Sequence, residues 1–449
     1  MKLTYNIEDK PSLDKLIVYA IQQLLAIMAA TLVVPLIVGN GMKPSAALFG
    51  AGIGTIVYVL FTKAKSPVFL GSSFAFLGSM AAAFAGAVSA EAGYAGLIIG
   101  AIFGGLVYVV IAIVVKVCGV AWIDKLMPKQ VIGPTVAIIG LSLAGNAIGD
   151  LQTGKYTVDG VVTANPLICV VCGLVTLLVT MLCSVYGKKT LKLIPFIIGI
   201  LAGYVVSAVL TLIGIQTGND AMRVMDFAVF NDMKIFEVPE FTFLTAIKGI
   251  SSVDGAYIAT LAAAYIPVSL VVFAEHIADH KNISSIIEKD LLQEPGLHRT
   301  LLGDGVGSIV GSIFGGCPNT TYGESIACVA ITGNASVATI IAASILAMII
   351  SFLSPFVAFV DSIPSCVMGG VCMALYGFIA VSGLKMVQKV DLEDNRNLFV
   401  VSVILIAGIG GLTLNFGVIS ITEVATALIL GILVNIILGN KKVQKRNEK

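Results

Sequence analysis

The chain has 449 residues, of which 57% are hydrophobic and only 12% are charged. Soluble globular domains carry about 25% charged residues, so this composition excludes an ordinary soluble protein. The net charge of +1 gives no indication of nucleic-acid binding, and we expect no nucleic-acid partner. Apolar runs close to the ~20 residues that cross a bilayer recur along the whole sequence. The composition therefore predicts a multi-pass membrane protein.

The hydropathy pattern predicts an all-α polytopic fold with fourteen transmembrane segments. The first seven cover residues 15–38, 45–62, 68–85, 93–116, 130–149, 166–186 and 193–214. The second seven cover residues 255–279, 298–315, 318–332, 337–360, 364–384, 398–415 and 420–439. The third and tenth segments are short and are interrupted by glycine or proline.

The distribution of basic residues tests this count, because cytoplasmic loops are enriched in Lys and Arg. With the N-terminus in the cytoplasm, nearly all of the 27 Lys and Arg fall on the cytoplasmic side. The exceptions are Lys43, Lys155, Arg223, Lys234 and Lys248. We therefore expect a multi-pass protein of the inner (cytoplasmic) cell membrane with both termini in the cytoplasm. The basic tail, residues 441–449, would face membrane lipid.

The longest loop, residues 216–254, separates seven segments from seven. An odd number of segments in each half places the two halves in opposite orientations, which is typical of the inverted repeats of secondary transporters. Residues 71–74 and 319–322 echo this repeat, since each reads as a small or polar residue, two hydroxyl residues and an aromatic residue. Interrupted segments at corresponding positions of the two halves indicate the binding site of a transporter.

Among the carboxylates inside predicted segments, three are the most informative. Glu275 and Asp279 are four residues apart and share one face of the eighth segment, and Glu324 follows the interruption in the tenth. A charge at membrane depth costs at least ~2.5 kcal/mol, so such residues are normally paired or functional. They are candidates for carrying protons and for accepting hydrogen bonds from ring N–H groups. Asp279 is also compatible with a charge at the end of its helix.

The remaining polar residues are interpreted as structural. His276 and His280 are assigned to the cytoplasmic end of the eighth segment, and Asp304 to the membrane interface. Neighbouring residues on one helix cannot converge on one ion, so no metal site is expected. The sequence shows no nucleophile–base arrangement and no cofactor fingerprint, so we expect no enzyme. Three carboxylates at outer segment ends are treated as solvated: Asp254, Asp361 and Glu423.

Several motifs make the sequence similar to one known family. They are residues 70–76, 274–276, 290–292, 295–299, 318–324, 367–370 and 375–377. On these motifs the chain resembles the nucleobase–ascorbate transporter family over essentially its whole length. Within that family it is most similar to the bacterial uracil permeases.

The resemblance implies two inverted repeats of seven segments arranged as two domains. The core domain comprises residues 1–126 (segments 1–4) and 255–362 (segments 8–11). The gate domain comprises residues 127–254 (segments 5–7 and the external loop) and 363–440 (segments 12–14). Short antiparallel strands in segments 3 and 10 pair inside the core. The resemblance further implies that the core slides against the gate as an elevator, and that a homodimer can form through the gate domain.

The resemblance also implies proton-coupled import of uracil or a related nucleobase, with the proton as the coupling ion and no cofactor. The residues implied in substrate binding are Glu275, Glu324, Phe74, Gly323, Tyr322, Ser73 and Tyr376. The residues implied in proton coupling are Glu275, Asp279 and Glu324, and the carrier among them stays open.

The chain departs from the family pattern at several positions. Asp279 stands where uracil permeases often have histidine and matches xanthine-type members instead, while Ser325 and Ala327 replace a common asparagine and glycine. Purine-transporting members tend to have glutamine at the position of Glu324, so this residue favours uracil over a purine as the substrate. The alternative within the family is a xanthine- or urate-type nucleobase:proton symporter. An anion transporter on a related fold is a further alternative, but such proteins favour a positively charged site.

Overall fold

The computed structural model describes residues 3–188, 191, 194–231, 234–416 and 419–439, so the predicted basic tail lies outside the described residues. The helices of the first half are α1 (Leu13–Val38), α2 (Pro44–Phe61), α3 (Leu77–Ala85), α4 (Ala90–Cys118), α5 (Ala121–Leu126), α6 (Lys129–Ser142), α7 (Ala144–Leu151), α8 (Pro166–Tyr186), α9 (Pro195–Thr217) and α10 (Thr242–Gly249). Those of the second half are α11 (Gly255–Ile287), α12 (Leu297–Gly315), α13 (Gly323–Thr332), α14 (Val337–Ile350), α15 (Ser354–Ser362), α16 (Ser365–Val387), α17 (Asn395–Ile409) and α18 (Glu423–Gly439).

Within these residues, eight helical stretches are long and apolar enough to cross a membrane, and five shorter apolar helices accompany them. A polytopic, mainly helical membrane protein is therefore confirmed. Two predicted segments are broken in the structure. The fifth divides into α6 and α7, and the eleventh divides into α14 and α15 because Pro355 begins a new helix. The thirteenth ends early, at Ile409, just before Gly411 adopts a φ of +69°.

The helices pack as two bundles, one of α1–α4 with α10–α14 and the other of α6–α9 with α16–α18. The tightest pair in the first bundle is α2 with α12. A Cβ atom at Gly54 would lie 2.7 Å from the carbonyl oxygen of Gly307, so only glycine allows the two backbones to approach this closely. Helix α11 belongs to the first bundle and contacts α6 and α18 of the second.

Two short strands pair at the centre of the molecule. Strand β1 (Leu70–Ser72) is antiparallel to β4 (Asn319–Thr321), with Gly71 opposite Thr320, and every residue of both strands is buried. This is the pairing expected between the third and tenth segments. The 3₁₀ turn Phe74–Phe76 follows β1 and continues into α3, while α13 begins two residues after β4. The N-terminus of a short helix thus lies shortly after each strand.

The other strands form two hairpins away from this centre. Strand β2 (Thr157–Val158) pairs with β3 (Val161–Val162), and β5 (Leu414–Phe416) pairs with β6 (Ile419–Ile421). The long loop after α9 contains 3₁₀ turns at Asp220–Met222 and Ala228–Phe230 and the short helix α10.

Candidate functional site

Three cavities follow one another between the two bundles. We call them the inner cavity, of about 370 Å³, the central pocket, of about 40 Å³, and the outer cavity, of about 260 Å³. The inner cavity and the central pocket share four lining residues: Glu275, Gly323, Glu324 and Ile379. The central pocket and the outer cavity share three: Phe74, Ala75 and Ile139. The three cavities therefore trace a path through the protein.

The inner cavity reaches the helix ends at Ser184, Pro195 and Met386. These ends lie beside the lysine-rich loops that the charge distribution assigns to the cytoplasm. Gly323 and Ala327 line this cavity and are exposed. A Cβ atom at Gly323 would meet no other atom within 4 Å, so the backbone there faces open space that a ligand can occupy.

Two carboxylates from different halves of the chain meet at the central pocket. Glu275 lies on α11, and Glu324 lies in the first turn of α13. Both side chains also border the inner cavity. The N-terminus of α13 favours negative charge beside it, because its first N–H groups are unpaired and its dipole is positive there. The pocket thus offers hydrogen-bond acceptors from α11 and both N–H donors and a carboxyl group from α13.

Asp279 lies one turn further along α11 and borders the inner cavity, not the central pocket. Its Oδ2 accepts a hydrogen bond of 2.7 Å from the Thr321 hydroxyl, at the end of β4. Helix α11 continues for two more turns to Ile287, past the predicted end at residue 279. Asp279 is therefore joined to the strand pair and is not a charge at the end of its helix.

Several hydroxyl groups around the strand pair are buried without a partner in the described part of the chain. They belong to Ser72, Ser73, Thr320 and Tyr376. Native proteins rarely leave buried polar atoms unpaired, so such groups indicate a place where a ligand or water completes the hydrogen bonding. The phenol of Tyr322, by contrast, donates a 2.6 Å hydrogen bond to the carbonyl oxygen of Ser72.

The structure brings most of the predicted site residues together. Five of them line the central pocket: Glu275, Glu324, Phe74, Gly323 and Tyr322. Ser73 and Tyr376 do not line it; Tyr376 instead packs edge-on against Phe74, with ring centroids 5.8 Å apart. Sequence reasoning did not single out Ile139, Thr320, Leu375 or Ile379, which also line the pocket. The sequence did offer a signal for two of them. Leu375 lies in the family motif 375–377, and Ile379 lies one helical turn further along the same helix.

The interpretation of His276 as a residue of the cytoplasmic helix end was wrong. Its side chain is fully buried, with Nδ1 2.7 Å from Asp304 Oδ2 and Nε2 3.0 Å from Thr300 Oγ1. Because the Thr300 hydroxyl donates to the carbonyl oxygen of Leu297, it must accept from Nε2–H. Asp304, which the sequence assigned to the membrane interface, is only 1% exposed and is enclosed by the protein.

His280 is also fully buried, contrary to its assignment to the helix end. Its Nδ1–H donates to the carbonyl oxygen of His276 over 2.8 Å, and its Nε2 lies 2.7 Å from the hydroxyl of Tyr58, which in turn donates to Ser66 Oγ over 2.7 Å. The two imidazole rings stack with centroids 4.0 Å apart. Helix α11 thus carries carboxylates towards the cavities and histidines towards α2 and α12.

Among the described residues, no group of three or more His, Cys, Asp or Glu side chains is placed so that it could hold a metal ion. Around the carboxylates the walls are apolar, with Phe74 and Ile139 on the outer side and Ile379 on the side of α16. Such an arrangement of a few converging polar groups between apolar walls suits a small planar polar molecule.

Comparison with known proteins assigns the chain to a family. A sequence model of the permease family matches residues 14–417. The uracil permease of Bacillus subtilis (strain 168) is 36% identical over 448 residues, covering 99% of this chain and 97% of that protein. The uracil permease of Bacillus caldolyticus is 37% identical, with 99% and 97% coverage, and that of Escherichia coli (strain K12) is 34% identical, with 96% and 93%.

Solved structures of anion transporters share the fold. The transmembrane domain of a cyanobacterial bicarbonate transporter, BicA, superposes with a TM-score of 0.59 at 15% identity, covering 96% of this chain and 99% of that one. Murine Slc26a9, an anion transporter in the inward-facing state, gives a TM-score of 0.61 at 10% identity, covering 96% and 69%. On the full-length sequence match, the chain belongs to the permease family of nucleobase–ascorbate transporters.

Proposed function

We propose that this protein is a uracil permease that imports uracil together with a proton. The observation that carries the proposal is the meeting of Glu275 and Glu324 beside a buried strand pair, in a chain 34–37% identical over its full length to proteins named uracil permease. Carboxylates accept hydrogen bonds from the two ring N–H groups of a pyrimidine dione. The site is not suited to an anion, because the cavity linings contain carboxylates and no Arg or Lys.

In this proposal, uracil lies between the bundles at the central pocket. Glu324 accepts a hydrogen bond from a ring N–H, Glu275 binds the polar edge, and backbone groups at Phe74 and Gly323 add further bonds. Ser73, Tyr322 and Tyr376 lie around the bound uracil in this proposal, where they provide packing contacts and hydroxyl groups. The pocket of about 40 Å³ has room for only a few water molecules. Uracil therefore also occupies the adjoining part of the inner cavity in this conformation.

Proton coupling requires that protonation change the affinity for uracil. On the outer side, a protonated carboxyl group at Glu275 or Asp279 completes the site and allows uracil to bind. The loaded site then faces the cytoplasm, where loss of the proton releases the base. The hydrogen bond from Thr321 to Asp279 connects this carboxylate to β4 and so to the substrate strand pair. The protein itself performs no covalent chemistry.

The transport cycle follows from the two bundles. We assign fourteen segments in two inverted repeats of seven, with residues 1–126 and 255–362 as a core domain that slides as an elevator against the gate domain, residues 127–254 and 363–440. The protein acts in the inner cell membrane with both termini in the cytoplasm, surrounded by lipid. The gate domain also provides the surface for a homodimer.

The experiment that tests this function is uptake of radiolabelled uracil into proteoliposomes with and without an inward proton gradient. We expect accumulation that the gradient drives and that a protonophore abolishes. Uptake of xanthine in place of uracil would show that Asp279, the residue shared with xanthine-type members, outweighs Glu324 in setting the substrate. Transport of neither base would refute the nucleobase assignment.

The first variant to examine is Glu324→Ala. It removes the acceptor for the ring N–H, and loss of a hydrogen bond to a charged group typically costs 1.5–3 kcal/mol. We expect uracil affinity to fall at least tenfold by calorimetry or by a direct binding assay. Glu393→Ala, at an exposed position after α16, is the matched control and should bind as the parent does. Tight binding by Glu324→Ala would contradict the site.

The coupling carboxylate is identified by comparing Glu275→Gln with Asp279→Asn. Neutralising the proton carrier should leave exchange of internal for external uracil intact, because exchange needs no net proton movement. The same change should abolish accumulation driven by a proton gradient. If both variants accumulate uracil normally, the proton is carried elsewhere.

A further inference from the structure

The outer cavity is lined by polar side chains that have no role in the proposed transport site. Its wall is apolar on one side, with Ile37, Val38 and Leu77, and carries the ring of Phe74. Four polar residues line it as well: Ser142, Asn146, Thr422 and Glu423. They come from the break between α6 and α7 and from the start of α18. The volume of about 260 Å³ is more than six times that of the central pocket.

The polar groups of this cavity are largely free to bind a ligand. The Thr422 hydroxyl oxygen is buried and has no partner among the described residues. The Ser142 hydroxyl donates to the carbonyl oxygen of Ile139 over 3.2 Å and keeps its own lone pairs for an incoming N–H. Asn146 is exposed and offers both an amide donor and a carbonyl acceptor, and Glu423 offers a carboxylate. Donors and acceptors thus lie opposite an aromatic ring and aliphatic side chains.

A thin barrier separates this cavity from the carboxylates. The residues common to the outer cavity and the central pocket are Phe74, Ala75 and Ile139. The ring of Tyr376 packs edge-on against that of Phe74. Phe74 and Ala75 belong to the first bundle, whereas Ile139 and Tyr376 belong to the second. A shift of one bundle against the other therefore opens or closes this barrier.

We propose that the outer cavity is a second binding site, where a planar heterocycle with amide N–H and C=O groups at its edge binds before it passes Phe74 and Ile139. Asn146 and Glu423 contact the polar edge of the heterocycle, and Phe74 contacts its face. The inference rests on the proposed function, because the ligand belongs to the same class as the transported base. The outer cavity selects by shape and hydrogen bonding, while Glu275 and Glu324 bind the base during translocation.

The test compares uptake with equilibrium binding in Asn146→Leu and Glu423→Gln. The Michaelis constant for uracil is measured in right-side-out vesicles, where the outer cavity meets the substrate, and in inside-out vesicles, where the inner cavity does. The dissociation constant for uracil is measured on the purified full-length protein. Asp159→Asn, which removes a carboxylate at the exposed β2–β3 turn, is the control for charge on the same side of the membrane.

We expect each variant to raise the Michaelis constant for uptake from the outer side about tenfold. The Michaelis constant from the inner side and the dissociation constant should change less than twofold, and Asp159→Asn should change none of the three. Asn146→Gln, which keeps the amide, should restore most of the affinity lost in Asn146→Leu. These results together would support a separate outer site.

Two results would overturn the inference. An unchanged Michaelis constant from the outer side would show that the cavity does not bind the base. An equal rise in both Michaelis constants and in the dissociation constant would show that the variants act through the central pocket. Failure of the proposed function is distinguishable from both, because the unmodified protein would then neither bind nor transport uracil.

Discussion

At the scale of single residues, α11 presents two kinds of ionisable group in opposite directions. Glu275 and Asp279 border the cavities, while His276 and His280 are buried against the neighbouring helices. The imidazole of His276 joins Asp304 of α12 to the helix that carries Glu275 and Asp279. We therefore infer that His276 fixes the position of α11, and that the proposed site depends on this residue although it does not line the cavities.

Substitution of His276 tests this positioning role. His276→Ala leaves the Asp304 carboxyl group buried without its partner, and an unsatisfied buried polar group typically costs about 1–3 kcal/mol. We expect the thermal midpoint in detergent to fall by several degrees and uracil binding to weaken. His298→Ala is the matched control, since His298 is partly exposed at the start of α12. Equal stability of the two variants would contradict the role assigned to the buried pair.

Hydropathy could not have predicted these partners. It placed the end of the eighth segment at residue 279, where polar residues begin to outnumber apolar ones, but α11 runs to Ile287 inside the protein. Asp304 on α12 provides the hydrogen-bond partner for His276 on α11. The two residues are 28 positions apart, so no local sequence pattern predicts their contact. The carboxylates were predictable because a charge within an apolar run is rare for a physical reason.

At the scale of elements, the close contact of α2 with α12 positions β4. The side-chain amide of Asn319 donates a 3.1 Å hydrogen bond to the carbonyl oxygen of Gly50, in the groove between these helices. A Cβ atom at Gly54 or at Gly311 would clash with that amide. The glycines therefore make room for the side chain that anchors the strand, in addition to bringing the helices together.

The variant Gly54→Ala tests this anchoring. The added methyl group would displace the Asn319 amide and push α2 away from α12, because the Gly307 carbonyl oxygen is also only 2.7 Å from the new atom. We expect the thermal midpoint to fall and uracil affinity to drop at least tenfold. Gly145→Ala is the control, since a Cβ atom there meets nothing within 4 Å and alanine favours a helix over glycine by about 1 kcal/mol.

If Gly54→Ala binds uracil with full affinity, the position of β4 does not depend on this contact. The four-residue spacing of the glycines in α12 is visible in the sequence and favours close helix packing; these are Gly303, Gly307, Gly311 and Gly315. The insertion of Asn319 between these helices could not be predicted from the sequence. The partner of an inserted asparagine depends on how the two helices are rotated relative to each other. The breaks in the fifth and eleventh segments did leave signals, since Ser142 lies at the first break and Ser354 and Pro355 lie at the second, but a hydropathy average over each stretch conceals them.

At the scale of the whole molecule, the cavities give the two faces of the protein different accessibility. The inner cavity leads directly to the carboxylates, whereas the outer cavity ends at Phe74 and Ile139. The predicted topology places the lysine-rich side in the cytoplasm, so we expect this conformation to exchange substrate with the cytoplasm.

Labelling of single cysteines checks this assignment together with the predicted topology. Ala327→Cys and Gly78→Cys place thiols in the inner and outer cavities, in a background whose native cysteines are replaced. A membrane-impermeant maleimide should modify Ala327→Cys only in inside-out vesicles, with protection by uracil, and Gly78→Cys only in right-side-out vesicles. Val161→Cys, on the exposed β3 strand, should react from the outside whether or not uracil is present. Modification of Ala327→Cys from the outside would reverse the orientation.

The two wide cavities also determine where the membrane voltage acts. If electrolyte fills both cavities, the potential difference will not fall evenly over the ~30 Å of hydrocarbon. We expect it to fall instead across the thin layer formed by Phe74, Ala75 and Ile139, next to Glu275 and Glu324. One elementary charge crossing that layer would gain about 2.3 kcal/mol per 100 mV, which corresponds to a roughly fiftyfold concentration ratio. The electrical energy would then act at the residues of the proposed binding site.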